Sequence, residues 1–165
     1  MRVTSKGRYS IQAALDLAFH FSGKPVRLQE ISDRQTISIH YLEQIFRRLR
    51  KGFVVESTRG PGGGYAFSRA MKEISVKDVL IHAGENIDPA LDFKHAVKGQ
   101  ENETLELFVA RRFFEELGSV IQNYLSNSSL ENLIKGAQGN FEKFKARSSQ
   151  PQPSSADVLQ DSRLS

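Results

Sequence analysis

The segment Arg59-Gly60-Pro61-Gly62-Gly63-Gly64-Tyr65 carries four glycines in five positions and constrains the fold more than any other stretch of the chain. Such a run costs conformational entropy on ordering, so it belongs where the backbone turns sharply or approaches another surface closely. Upstream of it, apolar residues recur at three- and four-residue spacing; on its two flanks the rhythm becomes two. Phe53 and Val55, then Tyr65 and Phe67, alternate with Val54, Glu56, Ala66 and Ser68, which predicts two short strands joined by the glycine loop. A nucleotide-phosphate loop is excluded: no Lys-Ser/Thr follows the glycines, and the next segment alternates as a strand where the triphosphate and dinucleotide loops open a helix. Two readings remain. One is a plain hairpin turn; the other is a wing that lays Arg59 on a duplex, where a minor groove's negative potential favours arginine.

The helical period upstream predicts three helices. The first spans about Ser5 to Phe21, with Ile11, Ala14, Leu15, Ala18 and Phe21 on one face, and is stopped by Gly23 and Pro25. The second, about Leu28 to Arg34, buries Leu28 and Ile31; the short segment 35–38 turns into a third, with Ser38 as N-cap, Lys51 near its end and Gly52 closing it. Two helices across a tight turn followed by a hairpin make the order of elements in a winged helix-turn-helix. A short helix from Ser75 to His82 with Val76, Val79 and Leu80 inward, a polar irregular stretch from Gly84 to Thr104, and a long helix from about Leu105 to Leu125 complete the reading. The fold class is therefore mainly α with a small β-hairpin wing. The expected organisation is a DNA-binding domain over 1–84, a cysteine-free loop over 85–104, a dimerisation helix with a short C-terminal helix over 105–136, and a Ser-, Pro- and Gln-biased disordered tail over 137–165.

Charge follows this division. The chain of 165 residues has a net charge of +4, but residues 1–84 hold 14 Lys and Arg against 7 Asp and Glu, while residues 85–165 hold 9 against 12. The basic half is the candidate for a polyanion partner, against the plainer reading of a solvated surface. On the third helix, Ile39, Leu42, Ile45, Phe46 and Leu49 share one face and are expected inside. His40, Glu43, Gln44, Arg47 and Lys51 share another. There Arg47, flanked by Arg48 and Arg50, suits phosphates or a guanine edge, Gln44 suits adenine, and Glu43 accepts from a cytosine amino group. Tyr41 and Ser38 are placed to hold the DNA backbone. An ordinary solvated helix face is the alternative.

Enzyme chemistry finds little support. With no Cys in the sequence, disulfides, thiolate metal sites and cysteine nucleophiles are excluded. The four His lack metal-ligand spacing, and Ser and Thr occur without a nucleophile-elbow motif. Asp88, Asp92 and His95 make at most a two-carboxylate, one-histidine set suited to a divalent ion. No apolar run of membrane-spanning length and no secretory apolar segment occurs, so a cytoplasmic location is expected. The long helix has two apolar stripes: Leu105, Phe108, Val109, Phe113, Leu117, Val120 and Tyr124 on one, and Leu107, Phe114, Ile121 and Leu125 on the other. One stripe packs on its own domain. The other calls for a second copy, and Leu107, Phe114, Ile121 and Leu125 are the expected homodimer interface, with a singly buried helix in a monomer as the alternative.

The segments MRVTSKGRYSIQAALDLA, ISDRQTISIHYLEQIFRRLRKGFVVESTRGPGGGYAFSR and ISVKDVLIHAGE closely resemble the IscR-like family of winged-helix transcription factors, bacterial regulators of iron–sulfur cluster assembly and related stress genes. The resemblance covers residues 1–86 strongly and the long helix weakly. It implies a homodimeric transcription regulator, most often a repressor, on a palindromic operator. It also implies that Arg2, Thr4, Ser5 and Lys6, then Ser38, His40, Tyr41, Glu43 and Gln44, and Arg59 in the wing approach DNA, with Gly60, Gly62 and Gly63 of the same loop. Many members hold a 2Fe–2S cluster through three cysteines and a histidine in the loop before the dimer helix, and here that loop has no cysteine. Carboxylates such as Asp92 are poor replacements. The resemblance thus transfers DNA binding without cluster sensing, and no cofactor is expected. A protein-interaction adaptor answering to a partner protein is the competing function.

Overall fold

The computed structural model describes residues 4–99 and 104–137. Residues 1–132 form one unit; in the second, 133–165, the described residues 133–137 are helical. The expected tail therefore lies outside the described residues from 138 onward.

Three helices come first: α1 (Ser5–His20), α2 (Leu28–Gln35) and α3 (Ile39–Lys51). The turn between α2 and α3 is held by Thr36 in the left-handed region, at φ 55°, by the buried Ile37, and by the Ser32 hydroxyl donating to the Ile37 carbonyl at 2.7 Å. Leu42, Ile45, Phe46 and Leu49 of α3 are buried as their spacing predicts; Ile39 is half-buried. On α1 the buried set is Gly7, Ser10, Ala13, Ala14, Asp16 and Leu17, whereas Ile11, Leu15 and Ala18 are half-buried and Phe21, just past the helix, is exposed. Small side chains let the neighbouring helices approach α1 closely, and Ile11 and Leu15 pack at the edge of the core they form. The Ser10 hydroxyl is satisfied by the Lys6 carbonyl at 2.7 Å.

Strands β1 (Val55–Thr58) and β2 (Gly64–Phe67) pair antiparallel, Val55 opposite Phe67 and Thr58 opposite Gly64. Val26 joins their edge through N–H to carbonyl bonds with Tyr65 in both directions, at 2.8 and 2.9 Å. A Cβ at Gly64 would stand 2.4 Å from the Val26 carbonyl oxygen, so this glycine is what lets the third segment dock.

Phe53 departs from the expected strand. It has φ 54° and is 76% exposed, with the strand starting two residues later. The cause lies at the end of α3, where a Cβ on Gly52 would fall 2.0 Å from the His82 ring. Gly52 is thus required for helix approach at φ −88°, and the left-handed residue that ends the helix falls on Phe53, whose N–H bonds the Arg50 carbonyl at 3.1 Å. Its own carbonyl accepts from the Ser68 hydroxyl and the Arg69 guanidinium.

A 3-10 turn (Met71–Glu73) leads to α4 (Val76–Ala83), whose Ser75 and Asp78 form a reciprocal cap. The region expected to be irregular contains α5 (Pro89–Ala96), started by Asp88 accepting from the Ala90 N–H at 2.9 Å, with Pro89 in its first turn. Capping by Asp and a Pro at the first position outweighs the polar composition. The long helix α6 (Leu105–Asn127) packs against α5 and α4.

Candidate nucleic-acid interface

Helix α3 crosses the unit with its apolar face on the core, so its opposite face is presented to solvent as a unit. His40, Glu43, Gln44, Arg47, Arg48 and Lys51 line one open trough on that face. This is a row of donors and acceptors with cations toward its C-terminal end, at the spacing that one side of a helix imposes. His40 Nδ1 lies 3.6 Å from Glu43, and both side chains are exposed. Tyr41 is half-buried, its ring set edge-on against Tyr9 at 5.7 Å between centroids, which ties the start of α3 to α1. Ser38 is exposed as the N-cap residue and makes no side-chain cap bond.

The remaining basic residues divide by use. The Arg48 guanidinium donates to the Ala83 carbonyl at 3.0 Å and so caps the end of α4. Arg50 donates to the Ser57 hydroxyl at 3.0 Å, joining α3 to the hairpin. Arg47 and Lys51 are exposed in the trough. Arg59 is exposed at the hairpin tip with Gly60 and Gly62, both at positive φ.

At the start of α1 the structure shows partners that sequence periodicity could not supply. The Thr4 N–H and hydroxyl donate to the two oxygens of Glu85, at 3.1 and 2.5 Å. Lys6 Nζ donates to the Gly84 carbonyl at 2.9 Å and sits 3.6 Å from Glu85. Burial pushes the Glu85 carboxyl upward, but the Thr4 hydrogen bonds and the Lys6 ammonium outweigh it and hold the group below its ordinary value. The Ser5 hydroxyl accepts from Arg8 at 3.2 Å. Arg2 lies outside the described residues. Glu85 was legible in the sequence only as the first acidic residue of a polar stretch.

The described carboxylates of the 85–104 segment are in structural use. Asp88 caps α5, and Asp92 accepts from the Asn86 amide at 2.6 Å. Among the described residues no group of three or more His, Cys, Asp or Glu gathers to hold a metal. With no cysteine anywhere in the chain, this donor set does not fit an iron–sulfur cluster. Glu101 and Glu103 lie outside the described residues.

On α6 the structure places Leu107, Phe114, Ile121 and Leu125 half-buried, Phe114 stacking on Phe93 of α5 at 4.7 Å. The exposed stripe is the opposite one, where Leu105 is 75% and Tyr124 70% exposed and Phe108, Val109, Phe113 and Val120 are also open. No described helix is long and apolar enough to cross a membrane.

Residues 3–136 match the family described as Rrf2, iron-dependent transcriptional regulator. The chain is 40% identical over 139 residues to the HTH-type transcriptional regulator IscR of Photorhabdus laumondii, covering 84% of this chain and 82% of that one. Among solved structures it is similar to T. potens IscR, with 30% identity, 92% and 93% coverage and a TM-score of 0.66. It is also similar to CymR, the global cysteine regulator of B. subtilis, with 27% identity, 81% and 95% coverage and a TM-score of 0.66. The winged-helix fold read from the hairpin and the three helices is shared with these neighbours, and the curated relatives are named as transcription regulators, a non-enzymatic class. This chain belongs to the Rrf2 family of transcriptional regulators.

Proposed function

We propose that the chain is a homodimeric repressor that reads a palindromic operator and works without an iron–sulfur cluster. The observation that carries this reading is the outer face of α3: His40, Glu43, Gln44, Arg47 and Lys51 lie along one open trough while the opposite face fills the core. A helix so anchored offers bidentate groups to base edges and cations to phosphates in a major groove. The Arg50 to Ser57 bond links the hairpin to α3, which supports a wing carrying Arg59 and the glycine loop onto the flanking backbone. Ser38 and Tyr41 stand at the start of α3 as backbone contacts.

For the dimer, the half-buried side of α6 is occupied by its own chain, which favours the exposed stripe Leu105, Phe108, Val109, Phe113, Val120 and Tyr124 as the face a second copy covers. An unpaired apolar stripe of six large side chains along one long helix is costly in water. Two copies joined there present two α3 helices to one duplex. The signal enters by a route other than a cluster, for which a partner protein is one carrier.

Selection of duplexes from a random library by the wild-type chain tests this function. The expected product is an inverted repeat with half-sites separated by about 10 base pairs or a multiple. Enrichment of no sequence over scrambled duplex at physiological salt would overturn the regulator reading in favour of the adaptor.

A further inference from the structure

We propose that Glu85 is a specificity-determining residue for DNA: it holds Lys6 out of the phosphate field, so that a cation beside the α3 face adds no sequence-independent attraction. The inference rests on the DNA-binding reading above.

Lys6 shares a small cleft with Tyr41, Gln44, Ile45 and Arg48, so its ammonium stands next to the trough of α3. A lysine there would ordinarily join the non-specific phosphate contacts, which carry no sequence information. Its charge is instead compensated within the protein. Two acceptors meet it: the Gly84 carbonyl at the C-terminal end of α4, at 2.9 Å, and the negatively charged Glu85 carboxylate at 3.6 Å. The Glu85 side chain is only 3% exposed. It cannot swing away to water, because both oxygens are also bound by the Thr4 backbone and hydroxyl. Those same bonds take up the Thr4 side chain, which makes no cap bond to its own helix. Arg48, the other cation in the cleft, is likewise drawn to the α4 end through the Ala83 carbonyl. The end of α4 therefore gathers two basic side chains that a count of charges along the sequence would assign to DNA.

The test is the salt dependence of binding to a duplex of random sequence and fixed length. Glu85→Gln keeps an oxygen for Thr4 but removes the charge facing Lys6. It should bind this duplex more tightly at low salt, with the slope of log affinity against log salt steeper by about 1.8 for the dimer, the increment of one added phosphate contact per copy. The Glu85→Gln/Lys6→Met double variant should return to the wild-type slope. The preference for the library-selected duplex over the random one should fall in the single variant. A single variant with the wild-type slope, or a double variant that stays steeper, would overturn the proposal. Should Glu85→Gln fail to fold, Lys6→Met alone decides: an unchanged slope agrees, and a slope shallower by about 1.8 for the dimer shows that Lys6 already meets phosphate. Because these slopes are read on random duplex, they stand apart from the selection that tests regulation; a wild-type chain that bound no duplex at all would sink both.

Discussion

The Arg34 guanidinium grips the Asp16 carboxylate with two nitrogens, Nη2 to Oδ1 at 2.7 Å and Nε to Oδ2 at 3.1 Å, and so locks α2 onto α1. Asp16 is 3% exposed, and Gln35 donates to its second oxygen at 2.6 Å. The hydrogen bond to Asp16 also holds the guanidinium proton more firmly than in a free arginine. Arg34→Met would leave this buried carboxylate with one strong partner fewer. Its cost is about 3 kcal/mol, read as a lower urea midpoint at unchanged slope. A loss under ~0.5 kcal/mol would show the pair to be dispensable.

Acid should remove the Glu85 and Asp78 contributions in a defined window. Burial raises both carboxyls, but hydrogen bonds from Thr4 to Glu85 and from Ser75 to Asp78, with Lys6 and Arg69 nearby, leave both below their ordinary values. A carboxyl depressed in the folded state stabilises it above the unfolded value and ceases to as pH falls through the folded one. The stability gap between wild type and Glu85→Gln should thus be constant from neutral pH to about 5 and shrink below about 4. A gap that widened in acid would reverse the sign of the shift.

Base reading and phosphate binding should separate by residue. Gln44→Ala and Glu43→Ala are expected to cost about 1–3 kcal/mol on the selected duplex and relax its sequence at one position per half-site, leaving the salt slope in place. Arg47→Ala and Lys51→Ala are expected to weaken all duplexes alike, each flattening the slope by about 1.8 for the dimer, or about 0.9 per copy. The reverse pattern would place α3 on the backbone instead of in a groove.

Opposite faces of α6 should respond differently to charge. Phe113→Glu, on the exposed stripe, should sediment as a folded monomer and lose tight binding to the selected duplex. Phe114→Glu, which removes the ring stacked on Phe93, should instead lower the melting temperature. If Phe113→Glu remained dimeric, the contact between copies would lie elsewhere.

Protein purified without oxygen should be colourless, with no visible charge-transfer absorption, and should bind the selected duplex equally before and after exposure to oxygen or a chelator. The absence of any thiolate underlies this expectation. Stoichiometric iron and sulfide would overturn it.

The sequence by itself determined the elements whose signals are local. The α3 pattern placed Leu42, Ile45, Phe46 and Leu49 inside and the His40 to Lys51 row outside, because burial along one helix is set by its own period. The glycine run between two alternating segments determined the hairpin for the same kind of reason. Tertiary structure decided what depends on neighbours distant in the chain. Which stripe of α6 is covered was settled by α5 and Phe93, since two apolar stripes of similar strength carry no label saying which meets its own domain. The close approach of His82 to Gly52 moved the left-handed turn onto Phe53, and on α1 small residues and Leu17 took the fully buried positions while Ile11 and Leu15 pack at the edge of the core. The hydrogen bonds of Lys6 and Arg48 were decided by carbonyls at the α4 end, 78 and 35 residues away in the chain, because a basic side chain finds the acceptor nearest in space, and sequence spacing does not encode that distance.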